Sequence, residues 1–148
     1  MQSSGGRESN QVERPGQATY RLARQHAGIG HFAEVTLHAA DSASGGFELR
    51  ISPLVFDWLK DAYGPDAWEW AVCDEYRGGA VRGVAYALQH TRTAVNWHLA
   101  IEVARIRARP PDTTAEDVAF ATCFATWQAC GLEPSTPPRL EAGMVVFP

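Results

Sequence analysis

Over residues 95–103 every second side chain is large and apolar: Val95, Trp97, Leu99, Ile101 and Val103 alternate with Asn96, His98, Ala100 and Glu102. A pleated strand sends successive side chains to opposite faces, so this pattern predicts a strand with one buried stripe, long enough to sit in the middle of a sheet. Arg105, Arg107 and Arg109 continue the same parity, which predicts a strand end that runs out of the core into solvent. Pro110-Pro111 then ends the strand. A stripe of this kind has to be covered by another layer.

Two helical segments offer the cover. Residues 80–90 carry Val81, Val84, Ala85 and Leu88 at helical spacing. Residues 113–131 present a wide apolar face that includes Val118, Ala121, Phe124, Ala125 and Trp127. Thr113 with Glu116 matches a capping box, Asp112, Glu116 and Asp117 suit the positive end of the helix dipole, and Gly131 stops the helix. A further helix is expected from Asp66 as its cap, through Trp68, Trp70 and Cys73, with Gly78-Gly79 kinking or ending it. The other strands are expected over 20–24, 31–39, 47–52 and 144–147. Gly28 and Gly30 lie in the first loop, and 41–46 forms a turn that pairs the 47–52 run back as a hairpin. This order predicts an α+β two-layer sandwich, a four-stranded mixed sheet with two helices on one face.

A chain of 148 residues, 45% hydrophobic and 20% charged, is long enough for a core of its own without disulfides or a metal. Cys73, Cys123 and Cys130 are odd in number and form no C-x-x-C pair, so they read as buried thiols of a cytoplasmic protein. Residues 1–16 are polar and read as a disordered tail, without a signal sequence or membrane span. The folded domain is expected over 17–148. The net charge of −4 opposes RNA binding by bulk electrostatics. The charge is unevenly distributed: Asp57, Asp61, Asp66, Glu69, Asp74 and Glu75 crowd one stretch, and Arg105, Arg107 and Arg109 another.

Catalytic patterns are missing from the sequence. It has no G-x-x-x-x-G-K-[ST] loop for a nucleotide phosphate and no G-x-S-x-G elbow, and its single lysine, Lys60, disfavours a serine–lysine dyad. His26, His31, His38, His90 and His98 show no metal-ligand spacing. The expectation is a protein that is not an enzyme, binds no nucleotide and carries no cofactor or metal. Trp97 and Trp127 read as core, whereas Trp58, Trp68 and Trp70 in the acidic stretch read either as core or as a surface for a protein partner.

Four strings, taken in order, resemble one family. Residues 24–35, R-Q-H-A-G-I-G-H-F-A-E-V, are similar to the R-Q-T-G-G-R-G-Q-Y-G-H-V string that opens the fourth domain of elongation factor G. Residues 75–88 resemble the E-Y-I-P-A-V-x-K-G-I-x-x-A-M helix of that domain. Residues 112–131 resemble its D-S-S-E-x-A-F helix, with Glu116, Ala119 and Phe120 matching, and 138–146 its L-L-E-P-x-M-x-V-E-V exit strand. The family comprises elongation factors G and 2 and the tetracycline-resistance ribosomal-protection GTPases, and the resemblance is to this one domain standing alone, without the GTPase. It implies the fold of the second domain of ribosomal protein S-five, with a left-handed βαβ crossover, and an insertion at about 53–73. It also implies association with the ribosome or structured RNA through two tip loops, for which His26, Gly28, Gly30, His31, Arg107 and Arg109 are the candidates. Ile29 stands where the family string has arginine and Glu34 where it has histidine, each removing a phosphate partner. The second tip loop, 107–114, is closer to the ribosomal-protection proteins. The alternative is a protein-interaction module that keeps the fold and binds through Trp58, Trp68 and Trp70.

Overall fold

The computed structural model describes residues 8–14 and 16–148. In chain order the elements are β1 (Glu8–Arg14), β2 (Gln17–His26), β3 (Ile29–Asp41), β4 (Glu48–Ile51), α1 (Trp58–Tyr63), α2 (Val72–Gln89), β5 (Leu99–Arg107), α3 (Ala115–Cys130), β6 (Arg139–Glu141) and β7 (Met144–Val146). The main sheet runs β1-β2-β3-β5-β4, and β6 with β7 forms a separate hairpin. Helices cover one face, giving the expected α+β two-layer sandwich. Four of the expected strands are β2, β3, β4 and β5 of this sheet, and the last, at 144–147, is β7 of the separate hairpin. The sheet's fifth strand, β1, pairs antiparallel with β2 inside the segment read as a disordered tail, and residues 1–7 and 15 of that tail lie outside the described residues.

β5 holds the central place its alternation predicted, between β3 on one side and β4 on the other. The expected hairpin of the 47–52 run with β3 does not form; β4 lies parallel to β5 instead. That register sets Leu49 beside Ile101 and Ile51 beside Val103 on the core face, and Arg50 beside Glu102 on the other. Like meets like on both faces, which pairing with the already occupied edge of β3 could not provide.

The start of β5 differs from expectation as well. Its ladder with β3 begins at the Asp41–Leu99 pair, so Trp97 lies beyond the sheet, 52% exposed, with its ring edge-on to Phe47 at 5.6 Å. At the other end Thr36 pairs with Arg105 and Leu37 with Val103, leaving Ala104 as an extra residue. This bulge resets the parity. Ile106 and Ala108 turn into the core, and Arg105 and Arg107 face solvent while still inside the strand.

The core joins Ala18, Tyr20 and Leu22 of β2, Ala33, Val35 and Leu37 of β3, and Ile101, Val103 and Ile106 of β5 to Val118, Phe120, Ala121 and Ala125 of α3. α3 is buried nearly all round because it lies between the sheet and α2. α2 begins at Val72, not at Asp66, and runs unbroken through Gly78-Gly79. A Cβ on Gly79 would run into the carbonyl oxygen of Ala115, and one on Gly83 would lie 2.6 Å from that of Ala119. These glycines are therefore contact points between two closely packed helices, and the buried face of α2 is Cys73, Tyr76, Gly79, Ala80, Gly83, Val84, Ala87 and Leu88. Val81 and Ala85, expected on that face, are exposed.

Candidate nucleic-acid interface

β2 and β3 pair without interruption from Gln17–His38 to His26–Ile29. Only Ala27 and Gly28 remain to turn the chain, and both have positive φ, 51° and 80°. Two such residues match the right-handed twist of the strands they join. Gly30 has another role, since a Cβ there would lie 2.6 Å from the Asp112 carboxylate, so the glycine leaves room for the Asp112 side chain of the β5–α3 loop, which a larger residue would push aside.

That loop is tied to β3 by a chain of hydrogen bonds. The Phe32 N–H donates to the Asp112 carbonyl (2.8 Å), the Thr113 hydroxyl donates to the Phe32 carbonyl (2.6 Å), and the Arg109 N–H donates to the Thr113 hydroxyl oxygen (2.8 Å). With Thr113 so engaged, the capping box shifts by one residue. The Thr114 hydroxyl accepts from the Asp117 N–H (3.2 Å), and the Asp117 carboxylate accepts from the Thr114 N–H (2.9 Å).

His31 brings in a third loop. It is buried; its Nδ1 lies 2.7 Å from Asp117 Oδ1 and its Nε2 donates to the Gly143 carbonyl at 2.9 Å. Gly143 belongs to the β6–β7 turn, where Ala142 (φ 51°) and Gly143 (φ 79°) repeat the alanine–glycine pair of the first turn. The two turns touch: a Cβ on Gly143 would lie 3.2 Å from His26 Cδ2 and 3.7 Å from Ile29 Cδ1.

All six tip candidates therefore lie at one end of the molecule in different capacities. Gly28 shapes a turn, Gly30 admits the neighbouring loop, and His31 faces inward with both nitrogens engaged. His26, Arg107 and Arg109 are exposed. Arg107 lies 3.9 Å from Glu34. The Arg109 guanidinium is 4.3 Å above the Phe32 ring, which also has Arg21 at 5.5 Å, and a cation held over an aromatic face in this way is oriented as well as stabilised. Arg21, Phe32 and Gly143 carry no site signal in the sequence, and Asp117 reads there only as an acidic residue at the start of a helix. Arg21 stands directly opposite Glu34 in the β2–β3 register, a pairing that can be counted outward from a two-residue turn once the turn is identified.

The three tryptophan candidates separate. Trp58 is core, its indole N–H bonded to the Ile106 carbonyl. Trp70 is half-buried, edge-on to Trp58 at 6.2 Å and to Tyr63 at 5.5 Å. Trp68 is 84% exposed, in a shallow recess with Lys60, Pro65, Asp66 and Glu69. Among the described residues no group of His, Cys, Asp and Glu side chains is arranged to hold a metal ion, and no helix is long and apolar enough to cross a membrane.

No protein-family model and no curated protein matches the sequence. Among solved structures the chain is similar to part of a protein from Thermus thermophilus, with a TM-score of 0.54 and 15% identity over 85% of this chain. The chain spans 16% of the length of that protein, and at this identity the likeness is one of fold.

Proposed function

We propose that this chain is a non-catalytic, translation-factor-like domain that associates with the ribosome or with structured RNA through the tip, without GTPase activity of its own. The observation that carries the reading is the convergence of three loops at one end of the sheet. The β2–β3 turn, the β5–α3 loop and the β6–β7 turn are held together by inward-facing groups, Gly30, His31, Thr113 and Asp117, while Arg107, Arg109 and His26 point outward. A preformed basic end of this kind loses little side-chain freedom on meeting phosphate.

Co-sedimentation with ribosomes tests the reading. Arg107→Glu combined with Arg109→Glu should weaken association and lower its log–log salt dependence by about two units, roughly one for each phosphate no longer neutralised. A wild-type protein that stays in the supernatant even at low salt would sink it.

A second reading is supported by Trp68. A tryptophan exposed to 84% and flanked by Asp66 and Glu69 suits a protein partner with a basic, apolar-anchored surface. Trp68→Ala should then abolish capture of that partner while ribosome association is unaffected.

A further inference from the structure

The face of the sheet turned away from the helices has a defined order of side chains. Strand pairing aligns Arg21, Glu34 and Arg107 in one row across β2, β3 and β5, and Thr19, Thr36 and Arg105 in the next. A third row holds His38, Glu102 and Arg50 across β3, β5 and β4. Beyond the first row, toward the tip, lies Phe32 with the Arg109 guanidinium above it. Residues in one row sit on one face of the sheet, neighbouring strands about 4.8 Å apart.

Five arginines thus share this face with three glutamates, Glu34, Glu102 and, at the end of β4 away from the tip, Glu48, in a chain whose net charge is −4. Glu34 lies between Arg21 and Arg107, and Glu102 is paired with both Arg50 and His38. Each of these two carboxylates therefore has two basic neighbours and satisfies the charge of at most one, and Glu48 accepts from the Ser42 and Ser44 hydroxyls. Arg105 faces Thr36 and has no carboxylate partner among the described residues. The Thr19 and Thr36 hydroxyls are bonded to each other at 2.9 Å between the arginine rows, so the ground there is polar and shallow.

We propose that this open face is a track for an unpaired stretch of RNA, continuous with the tip. Arg21, Arg105 and Arg107 meet successive phosphates, and the Arg109 guanidinium, backed by Phe32, offers its outer plane to a base. The proposal rests on the reading of the chain as an RNA-contacting domain. Arg105 and Arg107 stand two residues apart on one strand, about 6.6 Å, an array that follows a single extended backbone. A duplex curves its phosphates around a cylinder and keeps its bases stacked away from a guanidinium plane. The aromatic-backed arginine favours a splayed-out base, and the row of charges favours its backbone.

Fluorescence anisotropy with a labelled 15-nucleotide uridine oligoribonucleotide and with a 15-base-pair RNA duplex tests the track. The wild type should bind the single strand more tightly than the duplex. Arg21→Glu with Arg105→Glu should weaken single-strand binding at least about tenfold and lower the salt slope by about 1.4 units, about 0.7 for each phosphate of a single strand. Glu34→Gln should instead tighten it about threefold, a gain that a folding defect does not produce. Tighter duplex binding, or affinity unchanged in both kinds of variant, overturns the track. If ribosome association is abolished in the Arg107/Arg109 variant while the Arg21/Arg105 variant binds the oligonucleotide as wild type does, the track alone is wrong. If the wild type neither co-sediments with ribosomes nor binds the oligonucleotide, both readings are wrong.

Discussion

Asp117 is wholly buried, yet both of its carboxylate oxygens have partners: Oδ1 faces His31, and Oδ2 accepts from the Thr114 N–H and hydroxyl. It joins the start of α3 to β3 and, through His31, to the β6–β7 turn. Asp117→Ala would leave the buried His31 Nδ1 and the Thr114 N–H without their carboxylate acceptor, so urea unfolding should show a loss of about 3–5 kcal/mol. The sequence placed the capping box one residue early because two threonines in succession, followed by Glu116 and Asp117, offer two matches of equal quality. What decides between them is the Thr113 hydroxyl, taken by partners from β3 and the β5–α3 loop, and no local pattern contains that information. The cysteines were easier to read, since Cys73 and Cys123 are buried and Cys130 is half-buried. Burial pushes the Cys123 thiol up to about 12 and the Cys130 thiol up to about 11, and the thiolate is the reactive form. In native protein at pH 8, iodoacetamide followed by mass spectrometry should find Cys130 modified slowly and Cys123 only after denaturant is added.

At the scale of elements, the α2–α3 contact depends on the absence of side chains. Cys123 Sγ reaches the Gly83 carbonyl at 3.3 Å and the Trp127 indole N–H the Ala87 carbonyl at 2.8 Å, so the helices approach along Gly79, Gly83 and Ala87. A methyl group at Gly83 would meet backbone as well as Thr122 Cβ, at 2.7 Å, and Gly83→Ala should cost about 1–3 kcal/mol or more in thermal or chemical unfolding. Gly78→Ala meets only the far end of Arg82, at 3.8 Å, and should stabilise by about 0.5–1 kcal/mol as a helix interior loses its most flexible residue. Opposite signs from two positions on one helix would locate the contact. In the sequence Gly78-Gly79 reads as a kink or an end because glycine is a poor helix former; the packing of a second helix overrides that preference here. β5 has a similar history. Its alternation was legible through Val103, and the step of three residues from Val103 to Ile106 is the trace the bulge leaves, unreadable until β3 supplied the ladder against which to count.

For the molecule as a whole, the segment between β4 and α2 combines two functions that its composition did not distinguish. Val55, Phe56, Trp58 and Leu59 close the core beside β5, whereas Trp68 stands in solvent. Trp58→Ala should cost about 3–5 kcal/mol, and Trp68→Ala should change stability by no more than about 0.5 kcal/mol, both measurable by thermal unfolding. The layers, the central strand and the two main helices were legible because hydrophobic period reports burial directly. The tip was legible only as a set of residues, because the division between those that face inward and those left outward depends on three loops meeting, and each loop is silent about the others. The bulge at Ala104 also has a mechanical consequence. A bulge bends its strand and increases the local coil of the sheet, so the feature that turns Arg105 and Arg107 outward also curves the surface on which they stand. Deleting Ala104 would restore simple alternation, Val103 inward, Arg105 outward and Ile106 inward, with every arginine kept on the open face of a straighter strand. Charge and curvature, which come together in this molecule, are separable by the removal of one alanine.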